Sequence, residues 1–111
     1  MTREQINKTM AIYRALSNES NMKILRELRK RPAYIIELEK NVDLDRSTIK
    51  RRLYILANLG LVKTETRETP KGGKAVYYEL EDVKLSSLSL YNIIDNCDIR
   101  EIKEMTRVYQ Y

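Results

Sequence analysis

The stretch Asp45-Arg-Ser-Thr-Ile-Lys-Arg-Arg-Leu-Tyr-Ile-Leu-Ala-Asn-Leu-Gly60 is the most informative part of this chain. Asp45 is a residue type that caps helices by accepting hydrogen bonds from the free amides of the first turn. Gly60 tolerates the left-handed backbone conformation that commonly ends a helix. Between them, apolar residues recur at helical spacing: Ile49, Leu53, Leu56 and Leu59 or Gly60. The stretch therefore predicts a helix over about residues 46–59 with one buried face.

The opposite face of this helix has the side chains of a DNA-reading surface. Cations, hydroxyls and an aromatic residue occur on it: Arg46, Ser47, Thr48, Lys50, Arg51 and Tyr54. Such side chains bind phosphates and the base edges that the major groove exposes. We therefore expect these residues to contact DNA. For Tyr54, packing against the following segment is an equally good interpretation.

A β-hairpin with a basic tip is predicted after the helix. Residues 62–69 and 75–80 are rich in β-branched and aromatic residues, and Pro70-Lys-Gly-Gly-Lys74 between them has the composition of a turn. A helix, a glycine and a hairpin in this order are typical of a winged helix-turn-helix. The wing residues expected to contact DNA are Arg67, Lys71 and Lys74. A solvated turn is the alternative for the two lysines.

Positive charge is concentrated on the same segment. Residues 46–74 contain eight cations and two acids, or +6, whereas the whole chain is +5. The rest of the chain therefore sums to −1. A local excess of this kind is the electrostatic footprint expected of a surface that binds a polyanion.

The remaining sequence predicts further helices. The expected spans are about 3–16, a second helix after a cap at Ser17-Asn-Glu-Ser20 that ends near Lys30, a third over 33–40, and a helical segment over 82–109. In the third helix Ile35, Ile36 and Leu38 are expected to point inward. Asn96-Cys-Asp98 could break the last helix. The basic cluster Arg29-Lys-Arg31 suits the C-terminal end of a helix dipole, and phosphate contact is its alternative role.

Apolar residues of the first and last helices exceed what a winged core needs. Those expected at a homodimer interface are Ile6, Met10, Tyr13, Leu88, Tyr91, Ile94, Ile102 and Met105. A small domain with such a surface needs a partner. The predicted fold is thus a mainly α, α+β winged helix-turn-helix in one domain, residues 1–111, with a core over about 11–82. A C-terminal helical dimerisation segment follows over about 83–111.

Several other functions are disfavoured. Histidine is absent and Cys97 is the only cysteine, so neither a transition-metal site nor a Cys-His nucleophile is expected, and no cofactor is implied. The longest uncharged runs, Leu53–Val62 and Leu85–Ile94, have about half of the roughly 20 apolar residues that a membrane-spanning helix needs. The N-terminus is charged from residue 3 and has no secretory signal. We expect a non-enzymatic, soluble, cytoplasmic protein.

Five segments in order resemble the arsenic-repressor (ArsR) family of winged-helix regulators, over about residues 11–82. They are Ala15-Leu-Ser-Asn-Glu-Ser-Asn-Met-Lys-Ile-Leu25, Ile36-Glu-Leu38, Leu44-Asp-Arg-Ser-Thr-Ile-Lys-Arg-Arg-Leu53, Leu56-Ala-Asn-Leu-Gly-Leu-Val62 and Val76-Tyr-Tyr-Glu-Leu80. The resemblance implies a homodimeric transcriptional regulator whose first and last helices form the dimer and whose recognition helices enter successive major grooves.

The family's metal-sensing residues do not occur at the matching positions. Many relatives sense metals through cysteines of the third helix or Asp, His and Glu clusters of the last one. Here the third helix reads Ala33-Tyr-Ile-Ile-Glu-Leu38, without cysteine. No metal effector is therefore expected, and the sequence shows no obvious effector site.

The predicted function is a homodimeric, sequence-specific regulator that binds double-stranded DNA. The alternative is a non-specific architectural DNA-binding protein or a winged-helix module for protein–protein assembly. The operator sequence, and the choice between repression and activation, do not follow from the sequence.

Overall fold

The computed structural model describes residues 2–85 and 87–107. Six helices are α1 (Arg3–Leu16), α2 (Glu19–Lys30), α3 (Ile35–Asn41), α4 (Arg46–Asn58), α5 (Leu90–Asn96) and α6 (Ile99–Arg107). Five strands are β1 (Ala33–Tyr34), β2 (Val62–Glu68), β3 (Lys74–Leu80), β4 (Lys84–Leu85) and β5 (Leu88–Ser89). The α+β winged helix-turn-helix expected from the sequence is confirmed: α3 and α4 form the helix-turn-helix, and β2 and β3 form the wing.

Helix α4 forms as its sequence predicts, with one difference at its start. Ile49, Leu53 and Leu56 are buried, and Gly60 ends the helix with a φ of +78°. The amide of Leu61 returns to the carbonyl of Leu56 at 3.0 Å, which closes the C-terminal turn. Asp45 is the N-cap by its extended backbone, but its side chain makes no cap hydrogen bond. The predicted side-chain cap is therefore wrong; the Asp45 carboxylate has other partners, described below.

The wing is the larger part of a three-stranded antiparallel sheet in the order β1-β3-β2. Gly72 and Gly73 have φ values of +89° and +78°, which L-residues with side chains rarely adopt. They let the chain reverse at the tip, where the amide of Thr69 donates to the carbonyl of Gly73 at 3.0 Å. Residues 33 and 34 were expected to begin the third helix. They instead pair with Tyr78 and Tyr77 of β3, so α3 begins at Ile35.

One cluster of buried side chains extends from α1 to α6. Its fully buried members include Leu16, Met22, Leu25, Leu38, Ile49, Leu53, Leu90, Ile93 and Ile102. Each such side chain contributes about 1.5–3 kcal/mol relative to an exposed one. Helix α6 packs on α1, and α5 packs on α2. The C-terminal segment is thus joined to the winged core.

The C-terminal segment is less helical than predicted. A continuous helix from residue 82 is wrong, because Lys84–Leu85 and Leu88–Ser89 form a small hairpin. The carboxylate of Asp82 accepts from the amide of Tyr91 at 3.0 Å, which holds this hairpin against the start of α5. The expected break near Asn96-Cys97-Asp98 is confirmed, since α5 ends at Asn96 and α6 begins at Ile99. The end of the predicted helix, residues 108 and 109, lies outside the described residues.

The structure buries some of the residues expected at the dimer interface, and it exposes one residue that was expected to be buried. Of the expected dimer residues, Tyr13, Ile94 and Ile102 lie in the core of the single chain, with 4%, 4% and 0% exposure. They are therefore not free surface, because α1 and α6 cover each other and α5 packs on α2. The others are part-exposed: Ile6, Met10, Leu88, Tyr91 and Met105. The expected inward position of Ile36 is wrong. Ile36 is 47% exposed, because it lies two residues, or about 200° of helix rotation, from the buried Leu38 of α3.

Candidate nucleic-acid interface

The outer face of α4 is the centre of the candidate interface. Lys50 and Arg51 are exposed there, and Tyr54 is 70% exposed. Neither Lys50 nor Arg51 forms an ion pair with any residue of the described ranges. Packing of Tyr54 against the wing, one of its two expected roles, is minor at this exposure. These three side chains are free to contact a partner.

Arg46, the first residue of α4, is held by α3. Its Nε donates to Oε1 of Glu39, and its Nη2 donates to Oε2 at 3.1 Å, so the pair is bidentate. The hydrogen bonds from Arg46 hold the pKa of Glu39 below its ordinary value, and the charges of Arg46 and Lys50 act in the same direction. Arg46 thus sits where the sequence predicted it, but a carboxylate shares its guanidinium.

The two hydroxyls at the start of α4 also have an internal partner. Ser47 Oγ donates to the Asp45 carboxylate at 2.6 Å, and Thr48 Oγ1 donates to its other oxygen. These hydrogen bonds hold the pKa of Asp45 below its ordinary value. Contact of either hydroxyl with DNA would require exchange of this bond for one to a phosphate.

The wing carries an alternating row of charges on one face of its sheet. Residues directly opposite each other in β2 and β3 share a face, and Lys63, Glu65 and Arg67 are opposite Glu79, Tyr77 and Ala75. Arg67 Nη2 lies 2.7 Å from Glu65 Oε2 and 3.5 Å from Glu79 Oε2, and Lys63 Nζ lies 3.4 Å from Glu81 Oε1. The pKa of Arg67 is raised first by the hydrogen bond to Glu65. Part of the wing's positive charge is therefore neutralised by its own strands.

Tyr77 and Tyr78 point to opposite faces, as the strand register predicts. Tyr77 lies with its ring centroid 5.1 Å from that of Tyr34 and 5.6 Å from the Arg67 guanidinium. Tyr78 packs against the core and, with Thr64, faces Leu53 and Tyr54 of α4 across a cavity of about 360 Å³. The charged row is thus on the face of the wing turned away from α4.

The tip of the wing keeps its charge. Lys71 and Lys74 are exposed and have no ion pair in the part of the chain that the structure describes. By contrast, all three residues of the basic cluster at the end of α2 are paired. Arg29 bonds Asp95 at 3.1 Å and lies 4.0 Å above the Tyr91 ring, Lys30 bonds Glu27 and Arg31 bonds Glu37. Lys50, Arg51, Lys71 and Lys74 are thus unpaired cations on α4 and the wing tip, within the described residues.

Some features of the interface had no clear signal in the sequence. Glu39 and Glu79 belong to other elements than the arginines they bind, so no local spacing predicts either pair. Ile36 and Val76 are 47% and 46% exposed and line a cavity of about 310 Å³ with Arg46 and Lys50. Apolar surface here lies beside the cations and could contact the methyl groups of thymine.

The described residues give little support for a metal site or a catalytic thiol. No group of three or more Cys, Asp or Glu residues that could hold a metal ion occurs within residues 2–85 and 87–107. Burial raises the pKa of the Cys97 thiol, and the nearby Glu101 and Asp98 act in the same direction. A thiol with a raised pKa is a poor nucleophile at neutral pH. Among the described helices, none is long and apolar enough to span a membrane.

These elements and their order define a winged helix-turn-helix protein. Residues 18–64 match the profile of the family described as "Bacterial regulatory protein, arsR family". The HTH-type transcriptional regulator NmtR of Mycobacterium tuberculosis (strain ATCC 25618 / H37Rv) is 30% identical over 74 residues. That match covers 67% of this chain and 58% of the relative, so less than two thirds of the relative's length is matched. Residues 18–64 are thus an ArsR-family helix-turn-helix domain, the DNA-binding and transcription-regulating class that the sequence resembled.

Proposed function

We propose that this chain is a transcriptional regulator that binds double-stranded DNA sequence-specifically as a homodimer. The observation that carries the proposal is the set of unpaired cations, Lys50 and Arg51 on α4 and Lys71 and Lys74 at the wing tip. These four lie on the two elements that a winged helix places against DNA.

The proposal assigns a different contact with DNA to helix α4, to the wing tip and to the two arginines. Helix α4 enters the major groove, where Arg51 and Lys50 contact base edges and Tyr54 packs beside them. The wing tip lies along the phosphate backbone or minor groove, where Lys71 and Lys74 act as point charges. Arg46 exchanges Glu39 for a phosphate, since an exposed ion pair contributes only about 0–1 kcal/mol and is easily replaced. Arg67 faces away from α4 and makes the weakest of the proposed contacts.

The homodimer forms through the terminal helices and the segment before α5. Its support is the part-exposed apolar set Ile6, Met10, Leu88, Tyr91 and Met105. A two-fold arrangement that spaces the two α4 helices about 34 Å apart would match one turn of duplex. Light scattering at micromolar concentration is expected to give twice the monomer mass. A monomeric mass with and without DNA would contradict the homodimer.

Selection of bound sites from random duplexes tests sequence specificity. We expect an inverted repeat with half-site centres about 10 base pairs, or a multiple of this, apart. An architectural protein would enrich no sequence, and a protein–protein module would retain no DNA. Either result would reject the proposal in favour of that alternative.

The proposal includes three further statements. The protein acts without a transition-metal effector, because histidine is absent and cysteine is single. It binds rather than catalyses, and it works in the cytoplasm, where its DNA is. Residues 1–111 act as one domain, consistent with the shared core that joins α1 to α6.

A further inference from the structure

The large exposed hydrophobic side chains of the described residues all line one groove between α4 and the wing. They are Ile36, Tyr54 and Val76, with exposures of 47%, 70% and 46%. Ile36 and Val76 line a first cavity of the groove, about 310 Å³ in volume, and Tyr54 lines a second of about 360 Å³. Lys50 lines both cavities, so they are neighbours on one surface. Single apolar residues on a surface need no explanation, but their concentration in one groove indicates a contact.

Val76 lies close to two of the cations that are proposed to contact DNA. Successive residues of a strand point to alternate faces, so Lys74, Val76 and Tyr78 share the face of the wing that is turned to α4. Lys74 is at the tip of the wing, and Lys50 lies across the groove on α4. Ile36, in the first turn of α3, lines the same cavity as Val76 and Lys50. The apolar pair Ile36 and Val76 therefore borders both parts of the proposed DNA interface.

The charge of the groove favours nucleic acid as its occupant. Arg46 and Lys50 are the charged residues of its lining, and none of the described residues that line it is acidic. A polyanion is complementary to this lining, whereas an apolar protein surface would bury Lys50 without a counter-charge. In the major groove of DNA, the apolar group beside the polar base edges is the 5-methyl of thymine. Apolar side chains next to a cation therefore match a thymine next to a polar base edge.

We propose that Ile36 and Val76 form a binding site for the 5-methyl group of thymine and so select thymine at one position of each half-site. The inference rests on the proposed function, because it needs α4 in the major groove. The two side chains remove the methyl group from water, while Lys50 contacts the neighbouring base edge. Neither apolar residue belongs to α4, so part of the sequence preference comes from α3 and the wing.

Replacement of thymine by deoxyuridine tests the site, because it removes the methyl group and keeps the hydrogen-bonding atoms of the base. Each thymine of the selected duplex is replaced in turn, and binding of the full chain is measured by fluorescence anisotropy at one salt concentration. Replacement at one thymine of a half-site is expected to weaken binding about fourfold, as the loss of one buried methyl group predicts. A selected site without thymine, or unchanged affinity at every uridine position, would overturn the proposal.

Variants assign the effect to the two side chains. Ile36→Ala and Val76→Ala are each expected to weaken binding to the thymine duplex and to reduce the loss caused by uridine, since the methyl group then has fewer partners. Both side chains are about half exposed, so their truncation is expected to leave the fold intact. Val83→Ala is the matched control, because Val83 lines a separate cavity beside α1, and it is expected to keep the full uridine effect. The same uridine effect in wild type, Ile36→Ala and Val76→Ala would refute the methyl site.

The outcomes distinguish this inference from the proposed function. Failure to bind DNA, or to select any sequence, would reject the proposed function and the inference with it. Sequence-selective binding that tolerates uridine at every thymine would reject the inference alone. Equal weakening of selected and scrambled duplexes by Val76→Ala, without a uridine effect, would assign the apolar pair to the sugars of the backbone and would also reject the inference.

Discussion

Arg46, the first residue of the recognition helix, is bound in a bidentate pair by Glu39 of the preceding helix. The pair ties the two helices of the helix-turn-helix together across the turn. It also places an anion beside the surface proposed to meet phosphates. The same carboxylate therefore positions the recognition helix and competes with DNA for its first cation.

Glu39→Gln is expected to raise DNA affinity severalfold, on the preferred site and on scrambled DNA alike. The substitution removes a negative charge from the interface and releases Arg46 for a phosphate. The slope of log affinity against log salt is expected to steepen by about one, as one added phosphate contact predicts. Fluorescence anisotropy across a salt series measures both. Glu4→Gln, an exposed acid of α1, is the matched control, and equal behaviour of the two variants would refute the competition.

The same pair predicts a dependence of stability on acid. Because the pKa of Glu39 is held below its ordinary value of 4.5, its ionised form stabilises the fold above that pH. This contribution is lost as the pH falls through the lowered pKa of the folded state. Thermal unfolding of wild type and Glu39→Gln is therefore expected to differ at neutral pH and to converge in acid, below the range where Glu39 ionises. Asp45, whose pKa is also lowered, titrates in both proteins and cancels in the comparison. A constant difference in Tm down to strong acid would argue against the pair.

Lys71→Ala and Lys74→Ala are each expected to weaken binding to preferred and scrambled DNA by the same factor. The tip lysines are exposed point charges at a turn. The proposal places them on the DNA backbone, which is the same in every sequence. Each substitution is expected to reduce the salt slope by about one. A solvated turn would predict no change in either quantity. Wild-type binding by both variants across the salt series would therefore exclude the wing tip from the interface.

Transition metals are expected not to release the DNA. The chain has no histidine, and burial raises the pKa of its single thiol, so a thiolate–imidazole site cannot form. Zinc or cadmium titrated into the complex at constant ionic strength is expected to leave affinity within about threefold. Stoichiometric release that a chelator reverses would disprove metal independence.

The sequence predicted those elements whose signals are local. Helix α4 has its apolar stripe and Gly60 within one stretch, and the wing has two strand-like runs around a Gly-Gly turn. Features that depend on contacts between residues distant in sequence were not predicted. The two residues of β1 are helical by local pattern and form a strand only because β3 offers a free edge. The bond from the Tyr91 amide to Asp82, which ties the hairpin to the start of α5, joins residues nine positions apart, and no local pattern predicts it.

In the candidate interface, too, the sequence predicted the features with local signals and not those that depend on distant residues. Local spacing located Lys50, Arg51 and the tip lysines, whose exposure follows from the helix face and the turn. It did not reveal that Arg46 and Arg67 are neutralised, because Glu39 and Glu79 reach them only after folding. The count of +6 over residues 46–74 therefore overstates the charge that the folded surface offers.

The most direct test of the central claim is a titration of wild type and Arg51→Ala against a selected duplex and a scrambled one at one salt concentration. Wild type is expected to prefer the selected duplex by about a thousandfold or more. Arg51→Ala is expected to lose about 1–3 kcal/mol on the selected duplex and little on the scrambled one, because the proposal places Arg51 on base edges. Arg100→Ala, an exposed cation of α6, controls for the loss of charge. Equal affinity of wild type for both duplexes, or equal losses by Arg51→Ala on both, would contradict sequence-specific reading by α4.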